Sequence, residues 1–295
     1  MIHTCRMATM RINGADLAYD EAGNGPAVVL VHAGCADRRM WEHQFQALKA
    51  DFRVVRYDWR GYGESADAIG DFAHHEDLLA LMDALEIGRA AVVGSSDGGK
   101  IGLDAALTAP GRITSLTLVA PGVSGHEWPS SMTSLYRERV HDVVGLDRLR
   151  LYRTGEAETI DPAELDAYCE AETEFLVAGP SRTRDDLDPE VWKAALAMDR
   201  RLNQRAWSRP QPASRTAQPP AITRLHEIKI PTLVVTGLAD VPGILALSDL
   251  LVESIKGVRR IELPRTGHLP PLERPNEFNA ALLGFLQELE SAGHR

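Results

Sequence analysis

Gly94-Ser95-Ser96-Asp97-Gly98 is the stretch that decides the fold of this chain. It follows the short apolar run Ala90–Val93 and precedes a segment rich in small residues, so it joins a strand to a helix. Gly-x-Ser-x-Gly in that setting is typical of a nucleophile elbow, a turn so sharp that side chains two positions either side of the serine would collide. The pattern predicts Ser96 as a nucleophile above the carboxyl edge of a sheet, at the positive end of the following helix.

Two other interpretations of residues 94–98 are considered. A Gly/Ser-rich loop before a helix would look the same, because five-residue patterns also occur by chance. Asp97 could instead be the nucleophile, but that register would place Ser95 where the first glycine belongs. Centring the pattern on Ser96 puts Gly94 and Gly98 at both required positions, so Ser96 is favoured.

Strands and helices alternate through the first half of the chain. Asn13-Gly14 is a strong hairpin turn signal within residues 10–19, and residues 76–87 carry apolar side chains at helical spacing. Further apolar runs predict buried strands at residues 27–32, 52–57, 90–93 and 113–119. This alternation predicts an α/β fold, with a doubly wound, mostly parallel sheet and helices on both faces.

The alternation stops after the sixth predicted strand. Residues 122–225 contain no convincing apolar strand run and are acidic and helix-prone, ending in the Pro-rich return loop 209–220. Strands resume at 232–235 and 259–263, and a closing helix is predicted for 275–289. We therefore expect a core formed by 1–121 and 226–295, interrupted by one helical insertion at 122–225. The insertion is rich in aromatic residues, namely Trp128, Tyr136, Tyr152, Tyr168, Phe175, Trp192 and Trp207.

A nucleophilic serine needs a base, and the base needs a group that orients it. Asp240 follows the predicted strand at 232–235, and His268 follows the one at 259–263. Both lie on loops at the carboxyl edge, where open α/β sheets place their sites. Separately, Asp240 could be a helix N-cap and His268 a surface histidine. Together with Ser96, in the order Ser, Asp, His, they predict a catalytic triad.

An acyl-transfer site also needs two backbone N–H groups directed at one point. One is expected from Asp97, the residue after the nucleophile. The other is expected from the loop after the strand at 27–32, with Gly34 favoured and Cys35 as the second candidate. Cys35 is better explained as a residue that lines the pocket than as a second nucleophile.

These motifs together resemble the α/β-hydrolase fold family, of the lidded, lipase/esterase-like type. The resemblance covers nearly everything outside the insertion and rests on His32–Gly34, Asp58–Ser65, Gly94–Gly99, Ala109–Ile113, Pro231–Asp240 and Thr266–Pro275. It implies that the insertion is a cap over the active site, with some aromatics, Trp128 among them, lining an apolar pocket. At least half of the aromatics are expected in the core of the cap. Arg60 is expected to tie neighbouring loops together.

Asp97 departs from the family pattern, because most relatives carry an apolar or amide residue there. A carboxylate beside the nucleophile opposes a developing oxyanion unless it points away or is paired. The Ser-Asp-Gly-Gly elbow is similar to that of valacyclovir-hydrolase-like members, which implies that Asp97 holds a substrate ammonium group. The alternative is an Asp that caps the helix or pairs with an Arg at its start, where negative charge is favoured.

The expected function is hydrolysis of an ester, lactone or thioester of a small, partly apolar molecule through an acyl-enzyme. The same triad could cleave a C–C or amide bond, and some proteins of this fold are non-hydrolytic receptors or cyclases. Neither a metal nor an organic cofactor is implied. The substrate is a small molecule, and the sequence is compatible with a homodimer.

Composition excludes several other classes of protein. Acidic residues outnumber basic ones 42 to 32, a formal charge of −10, which argues against nucleic acid or an anionic membrane as partner. No apolar run is long enough to span a bilayer, and residues 1–11 lack a signal-peptide pattern. Cys5, Cys35 and Cys169 fit no zinc pattern and suit a reducing cytoplasm. The pair Arg38-Arg39 is expected to be solvated.

Overall fold

A computed structural model describes residues 6–293 of the chain, so Cys5 and the segment before Arg6 lie outside the described residues. Eight strands form one sheet. Their bounds are β1 Arg6–Ile12, β2 Ala15–Ala22, β3 Ala27–Val31, β4 Arg53–Tyr57, β5 Ala90–Ser95, β6 Ile113–Val119, β7 Thr232–Gly237 and β8 Arg259–Leu263.

The strands lie in the order β1-β2-β4-β3-β5-β6-β7-β8. β1 and β2 form the predicted hairpin, and its turn residues Asn13 and Gly14 both have positive φ angles, of 44° and 85°. β2 pairs antiparallel with β4, and every pairing from β4 to β8 is parallel. The predicted mostly parallel sheet is therefore confirmed.

Helices cover both faces of this sheet, as predicted. Apolar side chains of α1 and α10 pack on one face, and those of α2, α3 and α8 pack on the other. The predicted helix at 76–87 begins and ends earlier, and the closing helix extends further than expected. The helices are α1 Glu42–Leu48, α2 His74–Ala84, α3 Asp97–Thr108, α4 Ser130–Arg139, α5 Leu146–Thr154, α6 Pro162–Thr173, α7 Pro189–Ser208, α8 Pro242–Ser254, α9 Pro270–Glu273 and α10 Pro275–Gly293.

The segment between β6 and β7 is helical, and it contains no strand among its residues, all of which the structure describes. α4 to α7 form a separate apolar cluster whose buried aromatic members are Tyr152, Tyr168, Phe175 and Trp207. α6 continues into a π-helical turn, Glu174–Ala178. Short 3-10 helices lie at Arg38–Trp41, His141–Val143, Arg184–Asp186, Ala221–Thr223 and Leu225–Glu227.

The Pro-rich return loop 209–220 is bound to the core rather than free of it. The guanidinium of Arg215 pairs with Asp71 at 2.6 Å, and its amide donates to the carbonyl of Phe72 at 2.8 Å. The amide of Ala217 donates to Asp104 at 3.2 Å. These contacts fix the path by which the chain returns from the insertion to β7.

Arginines also organise the loops at the edge of the sheet. Arg60 pairs with Asp77 of α2 at 2.6 Å and donates to the carbonyl of Asn13 at 2.8 Å, so its predicted role between loops is confirmed. The expectation that Arg38 is solvated is wrong. Its guanidinium is buried and pairs with Asp20, Asp58 and Glu64, because these three carboxylates converge behind the loop after β3.

Within residues 6–293, no helix is both long enough and apolar enough to span a bilayer. Nor do the described His, Cys, Asp and Glu side chains form a group of three or more that could hold a metal ion.

Candidate active site

Ser96 lies at the junction of β5 and α3 with φ 53° and ψ −118°, a backbone conformation that a residue with a side chain rarely adopts. The flanking glycines explain how the turn closes. A Cβ on Gly94 would lie 2.3 Å from the carbonyl oxygen of Gly98, and one on Gly98 would lie 2.2 Å from that of Val31. The strained position is Ser96 and not Asp97, which is the first residue of α3.

His268 and Asp240 meet at the carboxyl ends of β8 and β7. The imidazole Nδ1 lies 2.9 Å from Asp240 Oδ2, and both side chains are almost fully buried. The other carboxylate oxygen of Asp240 accepts a hydrogen bond from the amide of Val241 at 2.7 Å. Burial lowers the pKa of His268, but the charge and hydrogen bond of Asp240 outweigh it, and the pKa is raised above 6.5.

The loop after β3 approaches the elbow closely at Gly34. A Cβ there would lie 2.7 Å from Asp97 Oδ2, so any larger residue would require the carboxylate of Asp97 to shift. No described residue accepts a hydrogen bond from the amide of Gly34. As the first residue of α3, Asp97 also has no helical acceptor for its amide. Two N–H groups are thus free where the sequence predicts an oxyanion hole.

The carboxylate of Asp97 already has a partner. Its Oδ1 lies 2.7 Å from Nζ of Lys100, one turn along α3. The sequence alternative expected an arginine in this role, whereas the structure supplies a lysine. Lys100 offsets the charge of Asp97 beside Ser96.

A cavity of about 490 Å³ brings these groups together. Gly34, Cys35, Ser96, Asp97, Trp128 and His268 all line it, whereas Asp240 lies behind His268. Of the seven aromatics of the insertion, only Trp128 and Tyr136 are among its lining residues, so most of them are core residues as expected.

Cys35 contributes a thiol to this cavity and no thiolate. Burial raises the pKa of Cys35 well above its usual value, and the carboxylates of Asp199, Glu172 and Asp97 raise it further. Because a neutral thiol is a weak nucleophile, Cys35 suits the wall of the cavity.

Sequence reasoning missed the polar side of the cavity that the insertion provides. Tyr136, Glu172, Asp199 and Asn203 line the space from α4, α6 and α7. One signal was available: Asp199 follows Ala195 by four positions, so a carboxylate lies on the buried face of an amphipathic helix.

The π-helical turn connects the insertion to the loop that carries the histidine. The amide of His268 donates to the carbonyl of Leu176 at 3.3 Å. Gly267 donates its amide to Glu273 Oε2 at 2.8 Å, and Glu273 in turn pairs with Arg182 at 2.6 Å. Arg182 also donates to the carbonyl of Ala178, the last residue of the turn, at 2.7 Å. The position of His268 therefore depends on the insertion as well as on β8.

Known proteins resemble the chain along almost its whole length. Over 294 residues it is 30% identical to the "Putative carbamate hydrolase RutD" of Caulobacter sp. (strain K31), covering 94% of this chain and 98% of that protein. A hydrolase from Pseudomonas aeruginosa PA01 is 29% identical, with a TM-score of 0.66 over 95% of this chain and 98% of the other. An enol-lactonase from Burkholderia xenovorans LB400 is 26% identical, with a TM-score of 0.69 over 95% and 100%.

A family model described as the alpha/beta hydrolase fold matches residues 26–275, which include β3 to β8 and the insertion. The relatives named above carry hydrolase or lactonase names. The chain therefore belongs to the alpha/beta hydrolase fold family, as a hydrolase of that fold.

Proposed function

We propose that the chain is a serine hydrolase that cleaves an ester, lactone or thioester of a small, partly apolar molecule through an acyl-enzyme. The observation that carries this proposal is the contact of 2.9 Å between His268 and Asp240 at the wall of the cavity that Ser96 also lines. The raised pKa of His268 supports a role as general base.

In the proposed mechanism, Ser96 Oγ attacks the substrate carbonyl carbon while His268 Nε2 takes the hydroxyl proton. Asp240 holds the imidazole by its Nδ1–H and stabilises the imidazolium. The amides of Gly34 and Asp97 donate hydrogen bonds to the oxyanion, and His268 passes the proton to the leaving group. Water, deprotonated by His268, then attacks the acyl carbon, and His268 returns that proton to Ser96 Oγ as the bond to the acyl group breaks and the acid leaves.

The helical insertion, residues 122–225, is proposed as the cap over this site. Its residues Trp128, Met132 and Leu176 line the cavity that Ser96 faces, and the walls of the cavity are largely apolar. Such a cap excludes water and determines which substrates fit. The lactonase name of one relative and the carbamate hydrolase name of another are consistent with an acyl-transfer substrate.

Labelling with a fluorophosphonate, followed by intact mass and peptide mapping, tests the proposal. We expect one adduct, on Ser96, because an activated serine reacts where ordinary hydroxyls do not. His268→Ala should abolish it, since the base is lost. Ser95→Ala and His43→Ala serve as controls: Ser95 is buried beside the elbow, and His43 is exposed on α1.

The adduct should survive in both control variants. A folded protein that forms no adduct would overturn the hydrolase mechanism and would favour a non-hydrolytic, ligand-binding role. An adduct on another residue, such as Cys35, would show that Ser96 is not the nucleophile.

A further inference from the structure

Two carboxyl groups of the insertion face the cavity together. Glu172 of α6 and Asp199 of α7 are joined by the side-chain amide of Asn203. Its Nδ2 donates to Glu172 Oε2 at 3.0 Å and to Asp199 Oδ1 at 3.1 Å. All three side chains line the space that Ser96 and His268 also line.

Asp199 has an unused acceptor in this space. The residue is 2% exposed, and no described residue donates a hydrogen bond to its Oδ2. Glu172 has further hydrogen-bond donors, because its Oε1 accepts from the hydroxyl of Tyr136 and, at 3.5 Å, from that of Tyr168. All of these donors are neutral.

No described basic residue forms an ion pair with Glu172 or Asp199, and several basic residues of the surrounding elements have other partners. Lys100 pairs with Asp97 at 2.7 Å, and Arg200 pairs with Asp166 at 2.5 Å. Arg153 contacts His141 Nε2 at 3.1 Å and the hydroxyl of Tyr168 at 3.2 Å. The other titratable groups around the pair are the thiols of Cys35 and Cys169, which burial keeps neutral, and His141, whose pKa burial lowers.

Buried carboxylates are stable in proteins when an opposite charge accompanies them. Here the protein provides only neutral donors, and Asp199 Oδ2, in a residue that lines the cavity, accepts from none of them. We propose that Glu172 and Asp199 bind a protonated amine of the substrate, so that the substrates are small esters, lactones or thioesters that carry a cationic nitrogen. The ester, lactone or thioester bond of this substrate rests on the proposed function. Its cationic nitrogen rests only on the geometry of Glu172 and Asp199.

This assignment differs from a role for Asp97 in holding the amine. Asp97 already pairs with Lys100, and its side chain is 43% exposed, so it offers less attraction to a second cation. Leu176, Leu202 and Ile244 line the cavity and accommodate the apolar chain of the substrate.

Proton uptake by the pair is consistent with this role. Burial raises the pKa of Asp199 well above its usual range, and the neighbouring charge of Glu172 raises it further. Asp199 therefore takes up a proton more readily than an isolated carboxyl group does. A cation bound against it favours the charged form, so binding should release a proton to solvent.

Matched substrates test the proposal. Methyl esters of ω-amino acids of increasing chain length are each compared with the methyl ester that ends in a methyl group instead of the amine. For the best chain length, kcat/KM for the amino ester should exceed that for the methyl-terminated ester about tenfold or more. A desolvated charge pair contributes binding free energy of this size. Asp199→Asn and Glu172→Gln should each reduce that ratio about tenfold. Glu170→Gln, the same change on the exposed face of α6, should keep it.

A second readout does not depend on turnover. Ser96→Ala is titrated calorimetrically with the best amino ester in two buffers of different ionisation enthalpy. The buffers should report proton release, and Asp199→Asn in this background should remove both that release and the preference over the methyl-terminated ester. Thermal unfolding of each variant shows that it is folded.

The two experiments separate the two proposals. Equal binding of amine and methyl esters by Ser96→Ala overturns the amine subsite, even where Ser96 labels with fluorophosphonate. If the fluorophosphonate forms no adduct but the amino ester still binds in a way that depends on Asp199, the hydrolase mechanism is overturned. The amine subsite is then still supported. If Asp97→Asn loses the preference for the amine and Asp199→Asn keeps it, the amine binds at Asp97 of the elbow instead.

Discussion

The imidazole of His268 is almost fully buried and yet more basic than usual. Burial alone would favour the neutral ring, and the carboxylate of Asp240 reverses that effect. A general base works only when it is unprotonated, so a raised pKa moves the onset of activity to higher pH. In the proposed mechanism, the carboxylate that orients the imidazole therefore also determines the pH range of the reaction.

This leads to a prediction for the pH profile of kcat/KM. In the wild type, the rate should fall as pH drops through a pKa above 6.5, because His268 then takes up a proton. In Asp240→Asn, burial still lowers the pKa of His268 and only the charge of Asp97 still raises it, so that limb should shift to lower pH while the maximal rate falls by as much as about 10⁴-fold. An unchanged acid limb in Asp240→Asn would show that another group controls it.

Ser96, Asp240 and His268 could be predicted because each follows a strand, and the carboxyl ends of parallel strands meet at one edge. Glu172 and Asp199 could not be predicted in the same way. Their proximity depends on how α6 packs on α7, and no motif fixes that packing. The partner of Asp97 was equally open, because several cations could have reached the start of α3.

At the scale of elements, the strands were predicted more accurately than the helices of the insertion. β3, β5, β6 and β7 are short, largely apolar runs bounded by turn residues, which is a clear pattern in a sequence, whereas β8 reads Arg-Arg-Ile-Glu-Leu. α4 has no buried residue, so its sequence lacks the apolar periodicity that marks a helix. The burial of Arg38 was missed because its carboxylate partners come from β2 and the loop after β4.

The contact between the π-helical turn and Gly267 gives an element-scale prediction. A Cβ on Gly267 would lie 2.0 Å from the carbonyl oxygen of Val177, so Gly267→Ala must displace either the turn or the histidine loop. We expect kcat/KM to fall about 10²-fold, the effect of moving a catalytic group by roughly an ångström. Steady-state kinetics on a matched ester measure this.

Gly88→Ala is the control for that experiment. Gly88 lies in the connection from α2 to β5, and a Cβ there meets no atom within 4 Å. Its kinetics should equal those of the wild type. Equal kinetics in Gly267→Ala would show that the histidine loop tolerates displacement.

At the scale of the whole molecule, the buried cluster around Arg38 holds several elements together. Its guanidinium contacts Asp20 of β2, and Asp58 and Glu64 of the loop after β4. Asp58 also accepts hydrogen bonds from the amides of Arg38 at 2.8 Å and Glu64 at 2.9 Å. Removal of the arginine would leave the buried carboxylate of Asp58 without a cation, whereas Asp20 would keep its pair with Arg56 at 2.8 Å.

Arg38→Met should therefore lower the free energy of unfolding by about 3–5 kcal/mol. Arg11→Met removes an exposed pair with Asp16 and should change it by about 0–1 kcal/mol. Urea unfolding midpoints of the two variants measure the difference. Similar midpoints would mean that the cluster adds no more than a surface ion pair.

The hydrogen bond from His268 to Leu176 has a consequence for the route of substrate entry. Opening the molecule at the π-helical turn would break this bond and release the histidine loop each time a substrate arrived. Among the described residues, Trp128 and α4 form no hydrogen bond with the histidine loop, and none of these cavity-wall residues is fully buried. In the proposed mechanism, substrate entry past α4 would leave His268 in place between turnovers, whereas entry past the π-helical turn would displace His268 in every cycle.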